Sequence, residues 1–121
     1  MENKDLGTTS TGIKPNAAGL LCYLFGWVTG LVFFLIEKDN KFVRFHAMQS
    51  MVVFGGLTVF SIVFSMILSI LRVYYELYFI FQLIWLAALA LWIVLMVKAY
   101  QGETFKLPVA GEIADTALKN I

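Results

Sequence analysis

Residues 16–36 carry no charged side chain, and two further apolar stretches follow at 47–71 and 79–97. Each is about as long as a helix must be to cross a ~30 Å hydrocarbon core. A helix is expected over a lone strand, because backbone polar groups in lipid must be satisfied within the segment. Composition agrees. The chain is 60% hydrophobic and 14% charged, whereas soluble domains average about 45–50% and about 25%. At 121 residues it is one domain. The expected fold is therefore an all-α integral membrane protein. It has three transmembrane helices (16–36, 47–71 and 79–97) and an amphipathic C-terminal helix at about 108–120. The net charge of +1 gives no electrostatic case for nucleic acid. The partners to expect are membrane lipids, a second copy, or other membrane proteins.

The flanks are different in kind. Residues 1–15 are polar and hold Glu2, Lys4, Asp5 and Lys14, a mixture unlike a signal peptide. With nothing to bury, they are expected to form a flexible tail, and Pro15-Asn16 then opens the first helix. Beyond the third span, Gly102 ends the helix and Pro108 suits the first turn of another. From there Val109, Ala110, Ile113, Ala114, Ala117, Leu118 and Ile121 project to one side, and Glu112, Asp115, Thr116 and Lys119 to the other. That pattern predicts a helix lying in the membrane surface, with docking on a partner as the alternative. Three spans put Lys4, Lys14 and Arg72 on one side. Lys38, Lys41, Arg44, Lys98, Lys106 and Lys119 fall on the other. The richer side faces the cytoplasm, so the chain is expected in the cell membrane with its N-terminus outside and its C-terminus inside.

Small residues mark where helices meet. Gly19, Cys22, Gly26 and Gly30 share one face of the first span, and Gly26 and Gly30 form a small-xxx-small pair. Ser61, Ser65 and Ser69 make a hydroxyl stripe on the second span, with Thr58 three residues earlier. The two stripes are expected to face each other; a dimer seam and a water-lined path are the alternatives. Tyr74, Tyr75 and Tyr78 flank Arg72 and Glu76 as an interfacial belt. Gln82, Trp85, Leu89, Trp92 and Met96 form a stripe on the third span.

Candidate chemistry concentrates in Phe42-Val43-Arg44-Phe45-His46-Ala47-Met48-Gln49-Ser50. Arg44, His46 and Gln49 are costly in hydrocarbon, so they belong at the membrane surface or inside a bundle. Helical spacing makes His46 and Gln49 neighbours and points Arg44 elsewhere. Arg44 is expected to reach a lipid phosphate or another segment, the nearest being 100–108, whose carbonyls past Gly102 and whose Glu103 carboxylate can accept from it. No catalytic motif, metal set or cofactor loop stands in the sequence. Cys22 is the only cysteine and His46 the only histidine. The chain is therefore expected to be non-enzymatic and to hold no cofactor.

The stretch Phe42-Val43-Arg44-Phe45-His46-Ala47-Met48-Gln49 resembles the signature of a family of small prokaryotic membrane proteins of unknown function. That family is related to the channel-type subunit of the chloroplast inner-envelope protein import translocon. Cys22-Tyr23-Leu24-Phe25-Gly26-Trp27 with Gly30, and Phe105-Lys106-Leu107-Pro108 with Gly111, extend the resemblance over residues 16 to about 114. It implies a helical membrane protein and, more remotely, a component of protein translocation or membrane-protein biogenesis. A small oligomeric channel or transporter is the alternative.

Overall fold

The computed structural model describes residues 6–119, and every regular element among them is helical. In order these are α1 (Pro15–Leu24), α2 (Trp27–Ile36), α3 (Lys41–Ser50), a π-helical segment (Met51–Gly55), α4 (Gly56–Ile70), α5 (Tyr74–Tyr100) and α6 (Ala110–Lys119). The third helix, the π segment and α4 run on as one helix of 30 residues, Lys41–Ile70, and α5 has 27. At about 1.5 Å per residue these measure about 45 and about 40 Å, enough to cross a bilayer.

The first apolar stretch was expected as a third spanning helix, but it breaks at Phe25-Gly26. Gly26 adopts φ +62° and ψ −135°, a conformation open in practice to glycine alone. Thr29 supports the break, since its hydroxyl accepts from the Phe25 N–H (3.1 Å) and donates to the Cys22 carbonyl (3.2 Å). The two halves have ten residues each, so each reaches only about 15 Å.

These halves lie antiparallel, as a hairpin. α1 descends beside α3: Gly19 lies against Phe42, Tyr23 against His46, and the tip at Gly26 against Phe54. α2 then returns, from Trp27 beside Gly55, past Gly30 at Ala47 and Ser50, to Glu37 beside Arg44. Ser10 bonds Glu37 across the open end. The residues before α1 and the loop after α2 are thus at the same end of the bundle, not at opposite ends as three spans would require. The sequence signal misled because an uncharged run of about twenty residues fits one span or two half-length helices equally well.

That open end also orders the N-terminal segment. Asn40 Nδ2 donates to the carbonyls of Leu6 (2.8 Å) and Thr8 (3.1 Å). Residues 6–13 of the tail expected over 1–15 thus hydrogen-bond to the bundle's open end; residues 1–5 lie outside the described residues.

The fifth helix ends as its sequence predicts. Gly102 takes φ +82°, and the Gly102 and Glu103 N–H groups return to Ala99 and Lys98 (3.0 Å each). Residues 103–109 then double back along α3, and α6 docks with Gly111 and Ala114 buried, the latter against Phe45 and Met48. The C-terminal helix thus packs on its own chain, leaving Val109 and Ile113 exposed. Residues 120 and 121, the end of the expected stripe, lie outside the described residues.

The expected contact between the glycine and serine stripes is absent. The hairpin tip stops level with Phe54, so Gly19, Gly26 and Gly30 never reach Ser61, Ser65 or Ser69. Ser65 instead back-bonds the Ile62 carbonyl of its own helix (3.0 Å), and Ser69 is exposed.

Candidate functional site

The site is built around α3, the most polar helix and the most enclosed. Asn40 starts it: its side-chain oxygen accepts from the Val43 N–H (3.0 Å). From Phe42 to Ser50 every residue except Arg44 is buried. The hairpin covers one side, and the 103–109 strap with α6 covers another.

His46 and Gln49 meet at a residue the sequence reading did not single out, Tyr23 of α1. The Tyr23 hydroxyl lies 2.7 Å from His46 Nδ1 and 3.0 Å from Gln49 Nε2. His46 Nε2 lies 2.9 Å from the Glu103 carbonyl. A carbonyl only accepts, so the ring proton sits on Nε2 and Nδ1 accepts from Tyr23. Gln49 then donates to Tyr23 and to the Phe105 carbonyl (2.9 Å), while its oxygen accepts from the Leu107 N–H (3.1 Å). The indole N–H of Trp92 on α5 donates to the Tyr23 carbonyl. Three side chains thus clamp the hairpin, the long helix and the C-terminal strap. Among the described residues no buried side-chain nitrogen or oxygen lacks a partner. Tyr23 had one visible signal, as the lone tyrosine of the first apolar stretch.

Arg44 is not part of that clamp. Its Nη1 donates to the carbonyls of Phe34 (3.1 Å) and Glu37 (2.7 Å), and its guanidinium lies 4.2 Å from the centroid of the Phe34 ring. Instead of reaching the segment at 100–108, it caps the C-terminal end of α2. Glu103 pairs with Lys98 (3.3 Å). The expected strap does bind the motif, through His46 and Gln49.

Glu37, in the loop after α2, is charged yet fully buried. Burial would raise its pKa. Hydrogen bonds from the Ser10 N–H and hydroxyl and from the Asn40 and Asp39 N–H groups outweigh that and hold it at about 2. The carboxylate is the knot that closes the hairpin's open end.

Below the clamp, a cleft of about 580 Å³ lies between the hairpin tip, α4 and α5. Phe25, Trp27 and Phe54 wall one side and Trp85 the other, with Thr58 and Gln82 as its polar points. The stripe expected on the third span supplies Gln82, Trp85, Leu89 and Trp92 to it.

Comparison with known proteins agrees with a membrane protein. Residues 7–114 match the model of the magnetosome magnetite crystal formation protein family (MamF/MmsF). A UPF0132 membrane protein of Methanocaldococcus jannaschii is 51% identical over 110 residues, covering 91% of this chain and 94% of the relative. A second from that organism is 45% identical over 104 residues, covering 86% and 70%. A UPF0132 membrane protein of Archaeoglobus fulgidus is 41% identical over 111 residues, covering 90% of this chain and 100% of the relative. No solved structure matches. The resemblance to the chloroplast translocon subunit finds no support among these matches, while the prokaryotic membrane family does. The chain belongs to the MamF/MmsF-type family of UPF0132 membrane proteins.

Proposed function

We propose that this protein is a non-enzymatic assembly component of the cell membrane. In this reading it crosses the bilayer twice, through Lys41–Ile70 and α5, with the α1–α2 hairpin entering one leaflet and returning. It offers α4 and α5 to other membrane helices, in membrane-protein biogenesis or translocation. The observation that carries the reading is the reversal of polarity along Lys41–Ile70. The polar third of that helix is buried in its own chain, with its buried polar side chains partnered by that chain. The apolar remainder is bare: Leu68 is the one buried residue of α4. Near their connection α4 and α5 touch through Phe64 and Phe81. Higher up they flank the cleft with Thr58 and Gln82, the small and polar groups that drive helix association in lipid.

Orientation follows from charge. Lys14, Lys38, Lys41, Arg44, Lys98, Lys106 and Lys119 lie toward the end of the bundle where the hairpin opens, and Arg72 lies at the other. That supports both flanks on the cytoplasmic side, replacing the external N-terminus inferred from three spans. Magnetite formation stays with the family description. Among the described residues no three His, Cys, Asp or Glu side chains converge as a metal site.

Photo-crosslinking from Phe60 and Leu86 in native membranes tests assembly, and adducts to discrete membrane proteins or a second copy are expected. Adducts to lipid alone, or selective ion flux by the purified protein in liposomes, would overturn it, the flux in favour of a small oligomeric channel or transporter. In a background with Cys22 replaced, Arg72→Cys should be labelled from outside and Ser10→Cys should not. Labelling of Ser10→Cys from outside would refute the orientation.

A further inference from the structure

A second cavity, of about 870 Å³, opens where the hairpin closes, outside the Tyr23–His46–Gln49 clamp. Three separate parts of the chain bring cations to it: Lys38, Lys41 and Arg44 from the start of α3 and its loop, Lys106 from the strap, and Lys119 from the last turn of α6. Two carboxylates, Asp39 and Asp115, oppose those five. Lys106 is paired with Asp115. Lys38, Lys41 and Lys119 have no ion-pair partner among the described residues. Glu37, next to Lys38 in the chain, spends its oxygens on Ser10, Asp39 and Asn40. Arg44 spends one nitrogen of its fork on carbonyls and is among the residues lining the cavity. Cations gathered around one space repel one another unless an anion joins them.

The walls between these charges are apolar: Phe42, Phe45 and Leu118. A soluble phosphate needs no such wall, and a nucleic acid needs a longer track. An amphiphile with an anionic head matches both parts, and basic pockets at this level of a membrane protein suit lipid headgroups. We propose that this cavity binds the phosphate headgroup of an anionic membrane lipid, with the start of its acyl chains against Phe42, Phe45 and Leu118. The lipid would join α6 to the start of α3, a contact the protein makes only partly by itself. The proposal does not depend on the assembly reading, since it concerns the opposite end of the molecule from the bare α4 and α5 faces.

Native mass spectrometry of the delipidated full chain, titrated with phosphatidylglycerol, phosphatidylcholine or soluble glycerol phosphate, tests it. Phosphatidylglycerol should bind at least about fivefold more tightly than phosphatidylcholine. Lys41→Gln and Lys119→Gln should each weaken it by roughly fivefold, as expected for one basic residue at a membrane surface. Lys14→Gln removes a cation outside the cavity and should change nothing, while Lys41→Arg should retain binding. Equal binding of the two lipids, or unchanged binding in both glutamine variants, would overturn the site. Binding of glycerol phosphate as tight as that of the lipid would assign the cavity to a soluble phosphate and overturn the lipid. The single variants lie on the surface, and their thermal midpoints should match the parent.

Discussion

The helix Lys41–Ile70 lives in two environments. Its first ten residues are polar for a membrane segment, yet His46, Gln49 and Ser50 are completely buried. Its last fifteen are apolar, yet Val59, Ile62, Met66 and Ile70 are each more than half exposed. In water this distribution would be inside out. In a bilayer it is the economical one, since lipid solvates apolar side chains and only the protein can satisfy polar ones. The comparison teaches where the fold is specified. The clamped half depends on close backbone approach and directed hydrogen bonds, whereas the bare half depends on little beyond helix propensity and length.

The same substitution should therefore have opposite effects in the two halves. A Cβ on Gly30 would lie 2.9 Å from the Ala47 carbonyl oxygen and 3.0 Å from the Ser50 side chain, and the first of these is backbone that cannot swing away. Gly30→Ala should cost about 3 kcal/mol, the upper range for overpacking, read as a large fall in thermal midpoint in detergent. A Cβ on Gly56 would meet nothing within 4 Å. Gly56→Ala should gain up to about 1 kcal/mol from helix propensity. Equal losses at the two sites would erase the distinction between the halves.

Hydrogen bonds give the next contrast. Tyr23→Phe keeps the ring but strips partners from His46 Nδ1 and from one Gln49 N–H, in a buried site. Leaving such groups unpaired costs about 1–3 kcal/mol each, so a loss of about 2 kcal/mol is expected. In the bare half the Thr58 hydroxyl only back-bonds the Phe54 carbonyl of its own helix (2.8 Å). Thr58→Val should change stability by less than about 0.5 kcal/mol. A Tyr23→Phe variant as stable as Thr58→Val would show that the clamp contributes little.

Much of this was readable from the residues. The helical class, the Gly102 stop and the polar character of 42–50 all follow from local chemistry that acts within a few residues. The hairpin was not readable in the same way. Gly26 fits a packing stripe and a turn equally well, and the choice depends on Ser10 finding Glu37 across 27 positions of chain. Arg44 illustrates the same limit. Its donors fit any set of free carbonyls, and the nearest set became available at Phe34 and Glu37 only once α2 had turned back. The change from one expected span to two half-length helices also places the N-terminal flank at the same end of the bundle as the loop after α2.

The knot at Glu37 makes the hairpin's closure pH-dependent. Its carboxyl has a pKa of about 2 in the folded protein against an ordinary value of 4.5. A depressed pKa stabilises the fold above the unfolded value, so its contribution is complete well above pH 4.5 and is lost as pH falls toward about 2. The thermal midpoint should fall between pH 5 and pH 3, and Glu37→Gln should flatten that part of the profile while lowering the midpoint at neutral pH. An unchanged slope in Glu37→Gln would mean that another group sets the acid limb.

A small gain, not a loss, is expected at the turn joining α4 and α5, at the far end of the bare half. Arg72 sits there at φ +60°, the one positive-φ residue other than glycine among the described residues. The Val73 N–H returns to Leu68 (3.0 Å) and the Arg72 N–H to Ser69 (3.1 Å), the helix-ending pattern that favours glycine at this position. A side chain in that conformation costs about 1 kcal/mol. The exposed Arg72 side chain makes no ion pair among the described residues to offset it. Arg72→Gly should therefore raise stability by up to about 1 kcal/mol, measured as a rise in thermal midpoint. Orientation should survive the change, because removing the lone cation from that end steepens the charge difference that sets it. A fall in midpoint would mean that Arg72 has a partner in the assembled protein, and crosslinking from neighbouring Leu71 would then be the way to find it.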